Sequence, residues 1–254
     1  MDRPLEHPAF PRATPRAATR TAVVWEALQP LLDSAAESAG HGSAVRVVDI
    51  GGGTGGFAVR VAGLGHRVTV VDPSPDALAA LARRADEQGV ADRVTGQQGD
   101  LADLLDLVPA GSADLVLCHG VLGLVDDPAA ALRTLADVLR PGGALSLLVG
   151  QRHAAVLARA MAGHLVAARE LLEGGGPATG ERRFAADELT DLLDEAGFAV
   201  RSVHAVRVFT DLVPASLLDL EPGAAAALLD LERAVSTRPE YLSLAAQLHA
   251  VAIH

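Results

Sequence analysis

Two short β-branched runs, one opening into glycines and the next ending in an acid, constrain this chain most. Val47-Val48-Asp49-Ile50 delivers the backbone into Gly51-Gly52-Gly53-Thr54-Gly55-Gly56, and Val68-Thr69-Val70-Val71 ends at Asp72-Pro73-Ser74. The first run is too apolar to face water and reads as a buried parallel strand. The glycines permit a tight turn and let main-chain N–H groups approach a ligand with no Cβ in the way. Asp72, at the tip of the next strand, is placed to accept both hydroxyls of a ribose. An adenosine-like ligand is expected.

The same alternation continues along the chain. The apolar spacing predicts a helix over 21–38, with Val24, Trp25, Leu28, Leu31 and Leu32 on one face and a kink at Pro30. Strands are expected at Arg46–Ile50, Arg67–Val71, Val94–Gln98, Asp114–Cys118 and Ala144–Val149. Between them lie helices at Gly56–Gly63, from Pro75 (Ser74 as cap, Gly89 as stop), and from Pro128 (Asp127 as cap) to before Pro141. Later come a helical stretch over 154–173, the break Gly174-Gly175-Gly176-Pro177, a helix Asp187–Ala196 and a strand Phe198–Phe209. A helix Pro214–Ser236 and a short helix and strand over Tyr241–Ile253 close the chain. Repeated βα units imply right-handed crossovers and a doubly wound α/β sheet with helices on both faces. Residues 1–20 read as a flexible, arginine-rich arm and 21–254 as one domain.

Composition narrows the partners. The chain has 254 residues, a formal charge of −11 and 50% apolar residues with 3% aromatics. All 21 basic residues are arginine, as no lysine occurs. An acidic whole disfavours non-specific attraction to polyanions, although a local arginine patch still allows it. The lone cysteine, Cys118, fits a reducing compartment. No apolar run is long enough to span a bilayer and no signal-like core follows Met1, so a cytoplasmic protein is expected. Neither a metal nor DNA is expected as a partner.

Further motifs separate the ligand classes that use glycine loops. Asp49-Ile-Gly-Gly-Gly-Thr-Gly55 resembles the first motif of class I S-adenosylmethionine (SAM)-dependent methyltransferases. Asp114-Leu-Val-Leu-Cys-His119 and Val138-Leu-Arg-Pro-Gly-Gly-Ala-Leu145 resemble that family's fourth strand and its entry to the fifth. The blocks His119–Pro128, Met161-Ala162-Gly163, Val206–Asp211, Leu228–Glu232 and Tyr241…His249 are similar to the tRNA carboxymethoxyuridine methyltransferase family, which esterifies a modified wobble uridine. The resemblance covers the chain from about Arg20 onward. It implies a Rossmann-like sheet with its last strand antiparallel, SAM as cofactor, and helical additions (151–185 and 212–240) around an acceptor site. A small-molecule acid remains the alternative acceptor. A non-catalytic SAM or S-adenosylhomocysteine (SAH) binding module and an NAD-dependent oxidoreductase are the rival classes.

Within that resemblance each residue has an expected role. Asp49 orders the loop and indirectly holds the ammonium of the cofactor. Gly51, Gly52, Gly53 and Gly55 cradle its methionine part, Asp72 takes its ribose, and Asp100 with Leu101 lies at its adenine. Arg20 clamps its carboxylate through a fork of N–H donors. His119 lines the pocket at the carboxyl end of strand 4, where open α/β sheets place ligands. Arg207 and Tyr241, the lone tyrosine, are the candidates for the acceptor pocket. Each has a plain alternative: a packed neutral ring for His119, a solvated loop for Asp100, and packing for Arg207 and Tyr241. A carboxylate acceptor needs no base. A hydroxyl or amine would, and His119 is the nearest candidate.

Overall fold

The computed structural model describes residues 15–38, 40, 43–173, 181–218 and 222–254. Seven strands, β1 (Arg46–Ile50), β2 (Arg67–Asp72), β3 (Val94–Gln98), β4 (Ala113–His119), β5 (Leu139–Gly150), β6 (Ala199–Val206) and β7 (Gln247–Ile253), make one sheet. Its order is β3-β2-β1-β4-β5-β7-β6. β1 to β5 pair in parallel, while β7 runs antiparallel to both β5 and β6. This is the doubly wound sheet expected from the sequence.

Helices α1 (Pro15–Ser38), α2 (Ala58–Gly63) and α3 (Pro75–Glu87) cover one face. There Val24, Leu28 and Leu32 join Phe57, Val61, Leu81, Leu115 and Leu117 in a buried cluster. On the other face, α4 (Leu104–Leu107), α5 (Pro128–Val138) and α8 (Ala186–Glu195) bury Leu104, Leu132, Leu135 and Leu189 against Val48, Ile50, Val116 and Leu147. The core is mostly aliphatic on both faces, with Trp25 and Phe57 on one and Phe184 and Phe198 on the other.

The elements depart from the sequence expectations where one residue decides the backbone. α1 begins at Pro15, so residues 15–20 are helical and not part of an arm; residues 1–14 lie outside the described ones. α1 also runs through Pro30. Pro30 is solvent-exposed, where water can hydrate the carbonyl that loses its amide. The 154–173 stretch divides into α6 (Arg152–Met161) and α7 (Leu165–Leu172), because Gly163 turns left-handed at φ +82°. The 214–236 stretch divides into α9 (Ala215–Leu218) and α10 (Ala224–Ser236), with Gly223 at φ +88°. β6 stops at Val206, three residues early, because Arg207 adopts φ +61°. The short α4, a 3-10 turn at Leu122–Leu124 and the separate α11 (Pro239–Leu242) complete the fold.

Candidate active site

The glycine loop leaves β1 at the carboxyl edge of the sheet. Gly51, Gly53 and Gly55 all have positive φ, at +66°, +56° and +78°. A Cβ would collide with Val121 at Gly51 and with Leu81 at Gly55, and would approach Asp49 Oδ2 to 2.5 Å at Gly52. The loop therefore tolerates only glycine at these points and shows bare backbone to the edge of the sheet.

Two acids flank it. Asp72 accepts hydrogen bonds from Gly53 N–H (2.9 Å) on Oδ2 and Ser74 N–H (2.9 Å) on Oδ1. Each oxygen retains a lone pair, which suits a ribose diol. Ser74 in turn caps α3 through Ala77 N–H. Asp49 is buried, and its carboxyl is pushed up to about 7, first by burial and then by the neighbouring charge of Asp72. A cation delivered beside it would favour the ionised form.

On the face covered by α1, a second cluster gathers beside the loop. His119 donates to or accepts from Ser146 Oγ through Nε2 (2.9 Å), and Ser146 Oγ meets His249 Nε2 at 2.7 Å. His204 stands beside His249, ring centroids 5.7 Å apart. Strand register accounts for this row, since His119 pairs with Leu148, Leu148 with His249, and His249 with His204. Phe57, from the end of the glycine loop, meets the His119 ring edge-on at 5.0 Å. Ser146 has one hydroxyl proton, so the two imidazoles take opposite tautomers.

Burial, and next the charge of Arg20, push the His119 ring down to about 3. Burial likewise holds His249 well below the ordinary histidine range. His119 is thus held neutral, and this environment does not suit the general-base role weighed for it. Arg20 Nε–H and Arg207 Nε–H are both buried without an acceptor. The two guanidiniums are close enough for Arg207 to lower the Arg20 pKa, after burial itself. Arg207 is ion-paired to Asp211 through its terminal nitrogen. Each guanidinium thus keeps one buried N–H donor unmet, the kind of group that a carboxylate satisfies.

Other predicted residues lie elsewhere. Tyr241 is half-buried on α11, edge-on to Phe209 at 5.9 Å, in a small cluster with Val208 and Val235; the packing alternative describes its surroundings. Asp100 is exposed and its Oδ1 accepts Ala102 N–H (2.7 Å), so part of its acceptor capacity is spent on its own loop. Leu101 is buried in the core. Cys118 is buried, and burial pushes its thiol up to about 12, which excludes a thiolate nucleophile. Arg182 and Arg183 reach the carboxyl edge of the sheet. Arg182 N–H bonds Gly123 O (2.7 Å), Phe184 N–H bonds Gly150 O (2.9 Å), and Arg182 pairs with Glu188 (3.0 Å). The Arg3, Arg12 and Arg16 side chains lie outside the described residues. Ser146, His249 and Glu232, all buried, were not singled out by sequence as site residues. Each stands as a polar residue inside an apolar pattern, and Glu232 and His249 also end two of the blocks that carry the family resemblance.

Three comparisons bear on this arrangement. The profile of the methyltransferase domain matches residues 47–143. The tRNA 5-carboxymethoxyuridine methyltransferase of Escherichia coli (strain K12) is 29% identical over 245 residues, 94% of this chain and 89% of that protein. The ubiquinone biosynthesis O-methyltransferase of Xanthomonas euvesicatoria is 36% identical over 129 residues, 51% of this chain and 53% of that protein. Among solved structures, a SAM-dependent methyltransferase from Mesorhizobium loti aligns with a TM-score of 0.60 at 23% identity, covering 93% of this chain and 100% of that one. Among the described residues, no helix is long and apolar enough to cross a membrane, and no cluster of side chains could hold a metal ion.

Proposed function

We propose, from the premise that this chain is a class I SAM-dependent methyltransferase, that its acceptor is an ionised carboxylate and that its product is a methyl ester. The observation that carries this reading is the buried, unmet Nε–H donor of Arg207, separate from that of Arg20 and beside a histidine too weakly basic to take a proton. A carboxylate arrives deprotonated and needs positive charge; a hydroxyl or amine needs a base, and His119 is not one.

The residues of the chain fit the cofactor and divide the work. The glycine loop offers its N–H groups, Asp72 the ribose acceptors, Arg20 a donor for the methionine carboxylate and Asp49 a counter-charge for the ammonium. SAM supplies, when bound, a methyl group activated on its sulfonium. Arg207 then orients the acceptor carboxylate for in-line approach, and His119, neutral and held by Ser146, shapes the wall between the two anions. Phe57 excludes water at the same point. The helical segments at 151–185 and 212–240 border the acceptor side, and Tyr241 serves there through Phe209 more than by direct contact.

A tRNA bearing a 5-carboxymethoxyuridine is the substrate that this reading favours, because the likeness to the Escherichia coli enzyme spans nearly the whole chain. The likeness to the ubiquinone enzyme spans about half. Arg152, Arg182 and Arg183 stand near the carboxyl edge in a chain of net charge −11, each ion-paired to Glu188 or Glu181, so a phosphate would have to compete with those carboxylates for them. Such a protein works in the cytoplasm, where its substrates are met. The test incubates the protein with methyl-labelled SAM and tRNA carrying carboxymethoxyuridine, with small carboxylic acids in parallel. Label that mild alkali releases as methanol is expected, since esters hydrolyse there and methyl ethers or amines do not. Alkali-stable label on any acceptor would overturn the carboxylate reading, and label on small acids alone would replace the tRNA.

A further inference from the structure

Glu232, on α10, is wholly buried, yet it belongs to neither the glycine loop nor the arginine–histidine cluster. Its Oε2 accepts Val208 N–H (2.9 Å), and its Oε1 accepts Phe209 N–H (2.9 Å), Thr210 N–H (2.7 Å) and the Thr210 hydroxyl (2.6 Å). Three consecutive amides thus converge on one carboxylate, a backbone nest filled by a side chain of the same protein. The nest begins one residue after Arg207, the one described non-glycine residue with positive φ (+61°). A left-handed arginine persists only where its surroundings over-determine it. Here two contacts do so: the nest on Glu232 and the ion pair from Arg207 to Asp211. The turn that they fix carries the guanidinium back beside Arg20 with its Nε–H unmet.

We propose that Glu232 is a positioning residue for Arg207 and thereby sets the preference of the site for an anionic acceptor. It touches neither acceptor nor cofactor. It clamps residues 208–210 so that the strand ends in a left-handed arginine, where a continued strand would direct that side chain elsewhere. This rests on the reading of Arg207 as the acceptor-binding residue.

The test uses the full chain and the variants Glu232→Gln, Arg207→Gln and the double variant. In Glu232→Gln one carboxylate oxygen becomes an NH2 group facing a backbone N–H, so the nest loses an acceptor and gains an opposed donor. Methyl transfer to tRNA carrying carboxymethoxyuridine is measured, with SAH affinity by calorimetry. The KM for the tRNA is expected to rise about tenfold in Glu232→Gln, with kcat and SAH affinity within about twofold of the parent. The double variant is expected to be no worse than Arg207→Gln alone. Effects that multiply in the double variant, or a kcat and SAH affinity that fall with the rise in KM, would overturn the proposal. If Glu232→Gln does not fold, Thr210→Val removes one of the four donors. A smaller rise in KM that vanishes in the Arg207→Gln background supports the proposal, and no rise, or one that persists there, overturns it. Should the parent protein not methylate this tRNA, the substrate reading fails separately, and the Arg207 Nε–H resonance decides. A slowly exchanging signal lost in Glu232→Gln supports the proposal, and an unchanged one defeats it.

Discussion

Asp72 serves two backbone donors before any ligand arrives, so removing it both opens the loop and deletes the proposed ribose acceptor. Asp72→Ala is expected to weaken SAH binding about 100-fold by calorimetry, the loss of two charge-assisted bonds. A loss under threefold would separate the acid from the ligand. Asp49 adds a pH dependence. Its carboxyl titrates at about 7 in the free protein, and an ammonium beside it would lower that value. The ligand then prefers the ionised form, available above pH 7. SAH affinity should fall as pH drops from 7 toward 5, by up to about tenfold per unit. Binding near pH 6 should also release a proton, visible as a dependence of the heat on the buffer. An affinity flat over that range would remove Asp49 from the ammonium. These residues are legible in the sequence because the chemistry and the backbone geometry that it needs share one short stretch. Ser146 and His249 meet across 103 positions, and Glu232 holds a turn more than 20 residues before it. No local pattern marks such contacts.

Elements whose ends carry their own punctuation are the ones read correctly. Ser74 and Asp127 cap α3 and α5 as expected, each accepting an N–H three residues on. The end of β6 has no such marker, since nothing in a Val-Arg-Val-Phe run announces a left-handed arginine. The breaks at Gly163 and Gly223 do have one, but a glycine in a helical pattern is ambiguous until its φ is known. Glycine context separates two predictions. Gly55→Ala must place a Cβ against Leu81 at φ +78°, and should cost about 2–4 kcal/mol in urea unfolding together with loss of SAH binding. Gly163→Ala meets open space at φ +82° and should cost about 1 kcal/mol, with SAH binding intact. Equal costs at the two positions would show that φ alone, and not the packing of the loop on α3, sets the glycine requirement.

Taken whole, the molecule holds three histidines in their neutral form, because burial lowers the pKa of His119 (to about 3), His204 and His249. An unfolded chain would protonate each below about 6.5. For His119 the unfolded state therefore binds more protons from there down to about 3, and for His204 and His249 over a window that opens at the same pH; stability is lost as pH falls through it. Each histidine contributes up to about 1.4 kcal/mol per pH unit. Asp49, raised to about 7, acts in the opposite sense between about 4 and 7 and offsets one of them. Unfolding in urea at pH 7 and pH 5 should show the net loss, and His249→Gln should shrink it; an unaltered difference would mean that the row is hydrated in solution. The sheet has one more consequence, in time. β7 lies between β5 and β6, although β6 is synthesised first. Until residue 253 has emerged from the ribosome, β6 has no neighbour in the sheet, and β5 presents a bare apolar edge. His204 on β6 and His249 on β7 meet only then. A nascent chain can therefore acquire its glycine loop early, but it completes the histidine row last, and in the interval between the two the edge of β5 is open to other chains.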